Sequence, residues 1–195
     1  MRHGETEWSA AGRHTGSTDM PLTSAGRAAA QRIGQLVAPM AFAAVFTSPL
    51  GRARETCSLA GLAADAVVDE DLREWDYGGY EGVTTADIRR QRPTWDLWAD
   101  GVVAGPAEHP GETLEEVGAR ADRVLARADA ALGSAAPGDG DVVLVAHGHF
   151  LRVLTARRLG LPPGDGALFQ LSTGTVSRLG TEHGRPVLTS WNQRP

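Results

Sequence analysis

Asp141-Val142-Val143-Leu144-Val145-Ala146-His147-Gly148-His149 is the stretch on which the fold turns. From 142 to 146 it is continuously apolar and mostly β-branched, as expected of a strand covered on both faces. A helical pattern starts directly after the His-Gly-His sequence, so this strand feeds a helix and not a hairpin. That arrangement belongs to an open α/β sheet, in which ligands bind just outside the carboxyl ends of the strands. His147 and His149 stand at that edge.

Two further runs read as strands, Ala43 to Ser48 (AAVFTS) and Ala66 to Leu72 (AVVDEDL). Helices lie between them. Thr23 caps one that runs to about Val37. Ser48, with Pro49 at the first helical position, opens another through Arg52, Arg54, Thr56 and Leu59. Thr113 and Glu116 form a capping-box pattern ahead of Val117, Ala121, Val124, Leu125 and Ala128, which predicts a helix to about Leu132. Residues 84–110 differ, with Trp95 and Trp98 three apart, a Gly/Pro/Ala-rich tail and no strand signal. They read as a short helical insertion over the sheet edge, a lid. Ala135 to Gly140 reads as a turn, and Val176 to Thr181 with Pro186 to Trp191 as a hairpin joined through Glu182-His183-Gly184. The expected architecture is α/β, a three-layer α/β/α sandwich with a mostly parallel central sheet, in one domain over residues 1–195.

Composition bounds the function. The chain has 195 residues, 42% apolar, with a formal charge of -5. Its basic residues are all Arg and none is Lys, and no run of them is present, which argues against binding a nucleic-acid backbone. Cys57 is the only cysteine, so an intramolecular disulfide and Cys-based zinc sites are excluded. No stretch approaches the roughly 20 apolar residues that span a bilayer. The expected location is the cytoplasm, with no membrane partner.

Imidazole near neutral pH can attack phosphorus, hold a proton or bind a metal. His3 sits in Arg2-His3-Gly4-Glu5-Thr6, where the Arg2 guanidinium can hold a phosphoryl group bidentately and Gly4 leaves room for an incoming anion. Gly148 follows His147 in the same way. Read from residue types alone, Arg52 is equally a helix-surface arginine, Thr15-Gly16 a plain turn, and Trp8, Trp75, Trp95 and Trp98 packing residues. Any of Asp69, Glu70, Asp71, Glu74 and Asp76 could supply an acid.

A series of short motifs narrows this choice. Arg2-His3-Gly4-Glu5-Thr6-Glu7-Trp8, Gly12-Arg13-His14-Thr15-Gly16, Pro21-Leu22-Thr23, Thr47-Ser48-Pro49-Leu50-Gly51-Arg52-Ala53, Glu74 before Tyr77-Gly78, Glu81-Gly82 and Ala146-His147-Gly148 occur in this order along nearly the whole chain. Together they resemble the histidine phosphatases, the phosphoglycerate mutase-like superfamily. The resemblance implies that His3 is the nucleophile and forms a phosphohistidine. It implies that Arg2, Arg52 and His147 surround the phosphoryl oxygens, and that Thr15 and Gly16 present a hydroxyl and an N–H to them. Glu74 would protonate the leaving alkoxide and then take a proton from water. Gly4, Gly148 and His149 complete the substrate-binding set. No metal and no cofactor are implied, and the substrate would be a small-molecule phosphate monoester.

The chain departs from the mutases of that family at Ser9 and His149, where they carry Asn, and Arg89-Arg90 lie in a shorter insertion than theirs. Its Gly148-His149-Phe150 and Trp75-Asp76-Tyr77-Gly78 stretches resemble a bacterial branch of acid phosphatases. A phosphomonoesterase is therefore the leading reading. A phosphoglycerate mutase is the alternative within enzymes, and a non-catalytic phosphate-binding protein the alternative outside them. A homodimer is left open. Family members also carry an apolar strand before Arg-His-Gly, whereas here Met1 directly precedes it. The expectation is unpaired ladder groups on the neighbouring strands, a less secure His3 and a physiological protein a few residues longer.

Overall fold

A computed structural model describes residues 1–135 and 140–194. In it the helices α1 (Glu7–Ala10), α2 (Ser24–Val37) and α3 (Gly51–Leu59) flank the strand β1 (Phe42–Thr47). The strand β2 (Ala66–Val68) and the short helices α4 (Thr85–Gln91) and α5 (Leu97–Asp100) come next. The long helix α6 (Leu114–Ser134), β3 (Asp141–Val145), α7 (Gly148–Arg158) and a terminal pair, β4 (Val176–Glu182) and β5 (Arg185–Gln193), complete the order.

The sheet runs β2-β1-β3, all parallel, with Val45 opposite Val143 and Thr47 opposite Val145. Successive residues of β3 feed opposite layers, as the twofold period of a strand requires. Val143 and Val145 pack with Ile33 and Val37 of α2 and with Ala53 and Cys57 of α3. Leu144 and Ala146 face Val117 and Val124 of α6 and Phe150 and Val153 of α7. This is why the run at 142–146 needs no polar residue. The fully buried Val, Ile and Phe side chains among these each contribute about 1.5–3 kcal/mol by leaving water.

The helix starts show which capping is local. Thr23 Oγ1 accepts from the Gly26 N–H at 3.0 Å. At α6 both halves of the capping box form, Glu116 N–H to Thr113 Oγ1 at 3.2 Å and Thr113 N–H to Glu116 Oε2 at 2.8 Å, and the helix runs two residues past the expected end. The expected Ser48 cap with Pro49 inside the helix is corrected. Helix α3 begins at Gly51 with no side-chain cap from its N-cap residue Leu50. Its first free N–H groups, on Gly51 and Arg52, donate instead to the Asp19 carboxylate at 2.6 and 3.3 Å.

The strand expected over 66–72 is also shorter. It ends at Val68, because the Asp69 side chain accepts the Asp71 N–H at 3.0 Å and turns Glu70–Leu72 into a 3-10 turn. Leu72 is thereby carried into the core, fully buried. The hairpin forms as expected, and His183 and Gly184 both take the positive φ (50° and 77°) that a two-residue turn between twisted strands demands. Of the turn expected over 135–140, residues 136–139 lie outside the described residues.

Residues 1–3 are better held than expected. Ala146 N–H donates to Met1 O and His3 N–H to Ala146 O, both at 3.0 Å, in parallel register with β3. On the other side Arg2 N–H donates to Thr175 O at 3.1 Å and Gly174 N–H to His3 O at 2.9 Å. The Met1 ammonium donates to Leu144 O at 2.7 Å, and burial pushes it down to about 5. His3 is thus gripped through its backbone from both neighbours.

Candidate active site

His3 reaches the carboxyl edge of the sheet on this three-residue stub, and its tautomer follows from one bond. Nδ1 lies 2.6 Å from Gly4 O. A carbonyl can only accept, so Nδ1 carries the proton and Nε2 keeps its lone pair. Gly4 earns its place by packing: its N–H donates to Thr56 Oγ1 at 2.9 Å, and a Cβ there would stand 2.5 Å from Gly26 O. This corrects the expectation that Gly4 is needed to make room for an anion.

His147 follows β3 and is the N-cap residue of α7, fully buried, with its ring centroid 5.1 Å from that of His3. Arg52 Nε donates to His147 Nδ1 at 3.2 Å, which leaves the proton on Nε2, 2.7 Å from Ser48 Oγ. The rest of the Arg52 guanidinium donates to the carbonyls of Thr18, Thr15 and Gly16 at 2.8, 3.0 and 2.9 Å. The Gly16 N–H is taken by the Glu81 carboxylate at 2.9 Å, which also accepts from Thr18 N–H. Gly16, Arg52 and His147 are therefore bonded to one another and do not line the cavity, so neither Gly16 nor Arg52 is the free phosphoryl donor expected of it.

Glu74 is fixed from the opposite side. Oε1 accepts from Trp75 N–H at 3.0 Å and Phe150 N–H at 2.8 Å, and Oε2 from His149 N–H at 3.1 Å. Two of these donors are first-turn N–H groups of α7, which have no partner within the helix itself. Gly148 opens the same turn, and its missing side chain admits Arg2: a Cβ there would lie 3.0 Å from the Arg2 Cζ.

Arg2, His3, Thr15, Glu74 and His149 line one cavity of about 260 Å³. Arg2 Nη1 donates to Leu171 O at 2.5 Å, while its Nε–H is buried without a partner. Buried donors left unpaired in this way are uncommon in folded proteins. The lid closes the cavity with Trp95, Leu97 and Trp98. Two residues join the site beyond those expected in it: His14 lines the cavity, and Ser48, expected only as a helix cap, orients His147. Both fall within quoted motifs, which was the only signal available. Among the described residues no cluster of three or more His, Cys, Asp or Glu could hold a metal ion, and no helix is long and apolar enough to cross a membrane.

Burial lowers the imidazoles of His3, His147 and His149 well below the ordinary 6.5, and nearby guanidinium charge adds to it, from Arg2 and Arg52 at His3. His14 is lowered to about 4 by burial alone. The unfolded chain therefore binds protons near pH 6.5 that the folded chain does not, and stability falls as pH drops from there toward 4. His14 by itself removes about 3 kcal/mol across that window. Urea midpoints should decline steadily between pH 7 and 4.5, and His14→Gln should flatten the decline. Parallel pH profiles for the two proteins would contradict this.

Residues 1–194 match the Histidine phosphatase superfamily (branch 1). The chain belongs to this superfamily. An acid phosphatase of Mycobacterium tuberculosis is 41% identical over 186 residues, 94% of this chain and 86% of that protein. A probable phosphoglycerate mutase of Proteus mirabilis is 31% identical over 194 residues, 98% of this chain and 87% of its own. The solved structure of an open reading frame product from Mycobacterium tuberculosis superposes with a TM-score of 0.88 at 40% identity, covering 99% of this chain and 95% of that one. This histidine phosphatase is a phosphoric monoester hydrolase acting on a small phosphorylated substrate, and the mutase relative stands further from it.

Proposed function

We propose that the enzyme hydrolyses phosphate monoesters through a phosphohistidine at His3, without a metal. The observation that carries this is a His3 with an unprotonated Nε2 lining the same cavity as the Arg2 guanidinium and the Glu74 carboxyl group. The His3 Nε2 lone pair forms the N–P bond while the P–O bond to the alcohol breaks, and Glu74 gives its proton to the departing oxygen. Water then attacks phosphorus, Glu74 takes its proton, and the N–P electrons return to Nε2.

Arg2 binds one phosphoryl edge with its guanidinium, and Thr15 turns its hydroxyl to the phosphate from Arg13 O, to which it donates at 3.0 Å. His147 turns its Nε2–H from Ser48 Oγ to a phosphoryl oxygen, with the Arg52 charge behind it. Gly16 and Glu81 hold the loop from which Thr15 projects. The guanidinium charges do the neutralising that a cation would otherwise supply. Residues 1–195 act as one catalytic domain in the cytoplasm, with no nucleic-acid or membrane partner, and a homodimer is the assembly to test.

Release of inorganic phosphate from para-nitrophenyl phosphate in excess chelator tests the reading. Undiminished turnover supports it, and a rate restored only by added divalent cation overturns it. Phosphoryl transfer to a second phosphoglycerate in preference to water would favour the mutase reading instead.

A further inference from the structure

Beyond its phosphoryl end the cavity is walled by uncharged rings. Tyr77 Oη lies 2.6 Å from His149 Nδ1, His14 Nε2 3.3 Å from Thr85 Oγ1, and Trp95 and Trp98 close the lid side. Burial holds the phenol well above its ordinary range and both imidazoles below theirs, so none of these groups is charged near neutral pH. The charged lining outside the phosphoryl end is Arg13, Arg89 and Asp96.

These three offer no paired grip to an anion. Arg89 donates through Nε to Trp95 O at 2.8 Å, and its Nη2 lies 3.9 Å from Asp96 Oδ2. Asp96 cannot swing away without breaking α5, because its Oδ1 caps that helix by accepting from Trp98 N–H at 2.9 Å. Arg90 points elsewhere, pairing with Asp87 at 2.6 Å, and does not line the cavity. Arg13 is exposed, donates to Gly82 O and lies over the Trp8 ring.

We propose that Asp96 makes the site selective for phosphate monoesters of uncharged alcohols: its carboxylate offsets Arg89 and confronts any second anionic group carried by the leaving alcohol. The inference rests on the phosphoryl end lying at His3. A carboxylate brought to the lid would meet a fixed like charge in a partly desolvated space, whereas a hydroxyl or an apolar face would meet imidazole, phenol and indole.

Two substrate pairs isolate the effect. Glycerol 3-phosphate and 3-phosphoglycerate differ by a hydroxymethyl group against a carboxylate, and phenyl phosphate with 4-carboxyphenyl phosphate repeats the contrast on an aryl ester. The neutral member of each pair should have kcat/KM about tenfold higher or more. Asp96→Asn keeps a helix-capping oxygen but no charge, and should shrink that ratio about fivefold at low salt and less at high salt. Arg89→Gln exposes the Asp96 charge and should widen the ratio. A purely structural role for the lid would move both variants the same way, and that result, a parent ratio near one, or an unchanged ratio in Asp96→Asn would overturn the proposal. Loss of turnover on all four esters and on para-nitrophenyl phosphate, or full turnover by His3→Ala, would instead bring down the placement of the phosphoryl site.

Discussion

Replacing His3 by alanine is expected to lower turnover of para-nitrophenyl phosphate by about four orders of magnitude or more, and to abolish the acid-labile phosphoryl label on the protein. The size of the loss follows from what no neighbour can replace. His147 has both ring nitrogens engaged, Nδ1 by Arg52 and Nε2 by Ser48, and His149 has its Nδ1 against Tyr77. His147 therefore presents no free lone pair where His3 Nε2 does, and His149 is tied to the Tyr77 phenol. The variant should fold, since residue 3 is held through its backbone by Ala146 and Gly174 and the only side-chain bond lost is the local one to Gly4 O. Retained activity above about one per cent of the parent would remove the covalent mechanism and leave direct attack by water. The lowered imidazole adds a second signature: the loss of turnover caused by protonating His3 should set in at lower pH than an ordinary imidazole's 6.5.

The parts legible in the sequence are those decided within a few residues. The apolar run ending in Ala146 needs both its faces covered, and the sheet covers them. Thr113 and Glu116 bond each other across one helical turn, so the start of α6 could be read locally. The start of α3 could not, because its cap is Asp19, more than thirty residues upstream. At Asp69 the deciding bond is local, yet strand propensity points the other way. Its β-branched predecessors Val67 and Val68 favour extension, while the bond that ends the strand is made by its own side chain to Asp71.

The candidate site divides along the same line. His147 was placed by the strand it follows, a local fact, and it lies where that strand ends. Glu74 could not be chosen among five neighbouring acids by residue type, because what distinguishes it is contact with the first turn of α7, some 75 positions away. The others are spoken for: Asp69 and Asp71 pair with Arg127 and Arg123, Glu70 with Arg73, and Asp76 accepts from Gly78 and Gly111. The role of Gly16 was misplaced because the carboxylate that takes its N–H, Glu81, lies 65 residues on. Residue types told which chemistry was available, and long-range bonds decided which groups remain free to perform it.

Glu74 has the second large expected effect, and its signature is a dependence on the leaving group. Glu74→Gln should lower kcat/KM about 10²–10⁴-fold for alkyl phosphates, whose alkoxides need a proton to depart, and within about tenfold for para-nitrophenyl phosphate, whose phenolate leaves unaided. The amide is the right probe because it nearly preserves shape while removing the transferable proton. It also carries a structural cost: the amide oxygen can take over the bonds to Trp75 and Phe150 N–H, but the NH₂ group then faces the His149 N–H that Oε2 accepts. A mismatch of two donors there costs about 1–3 kcal/mol. That cost lowers the melting temperature and acts on every substrate alike, so it separates cleanly from the chemical effect. The ratio of the two losses, and not either loss alone, reports proton transfer. Equal losses for the aryl and alkyl esters would assign the proton to another group and leave Glu74 the task of anchoring α7 beside His3.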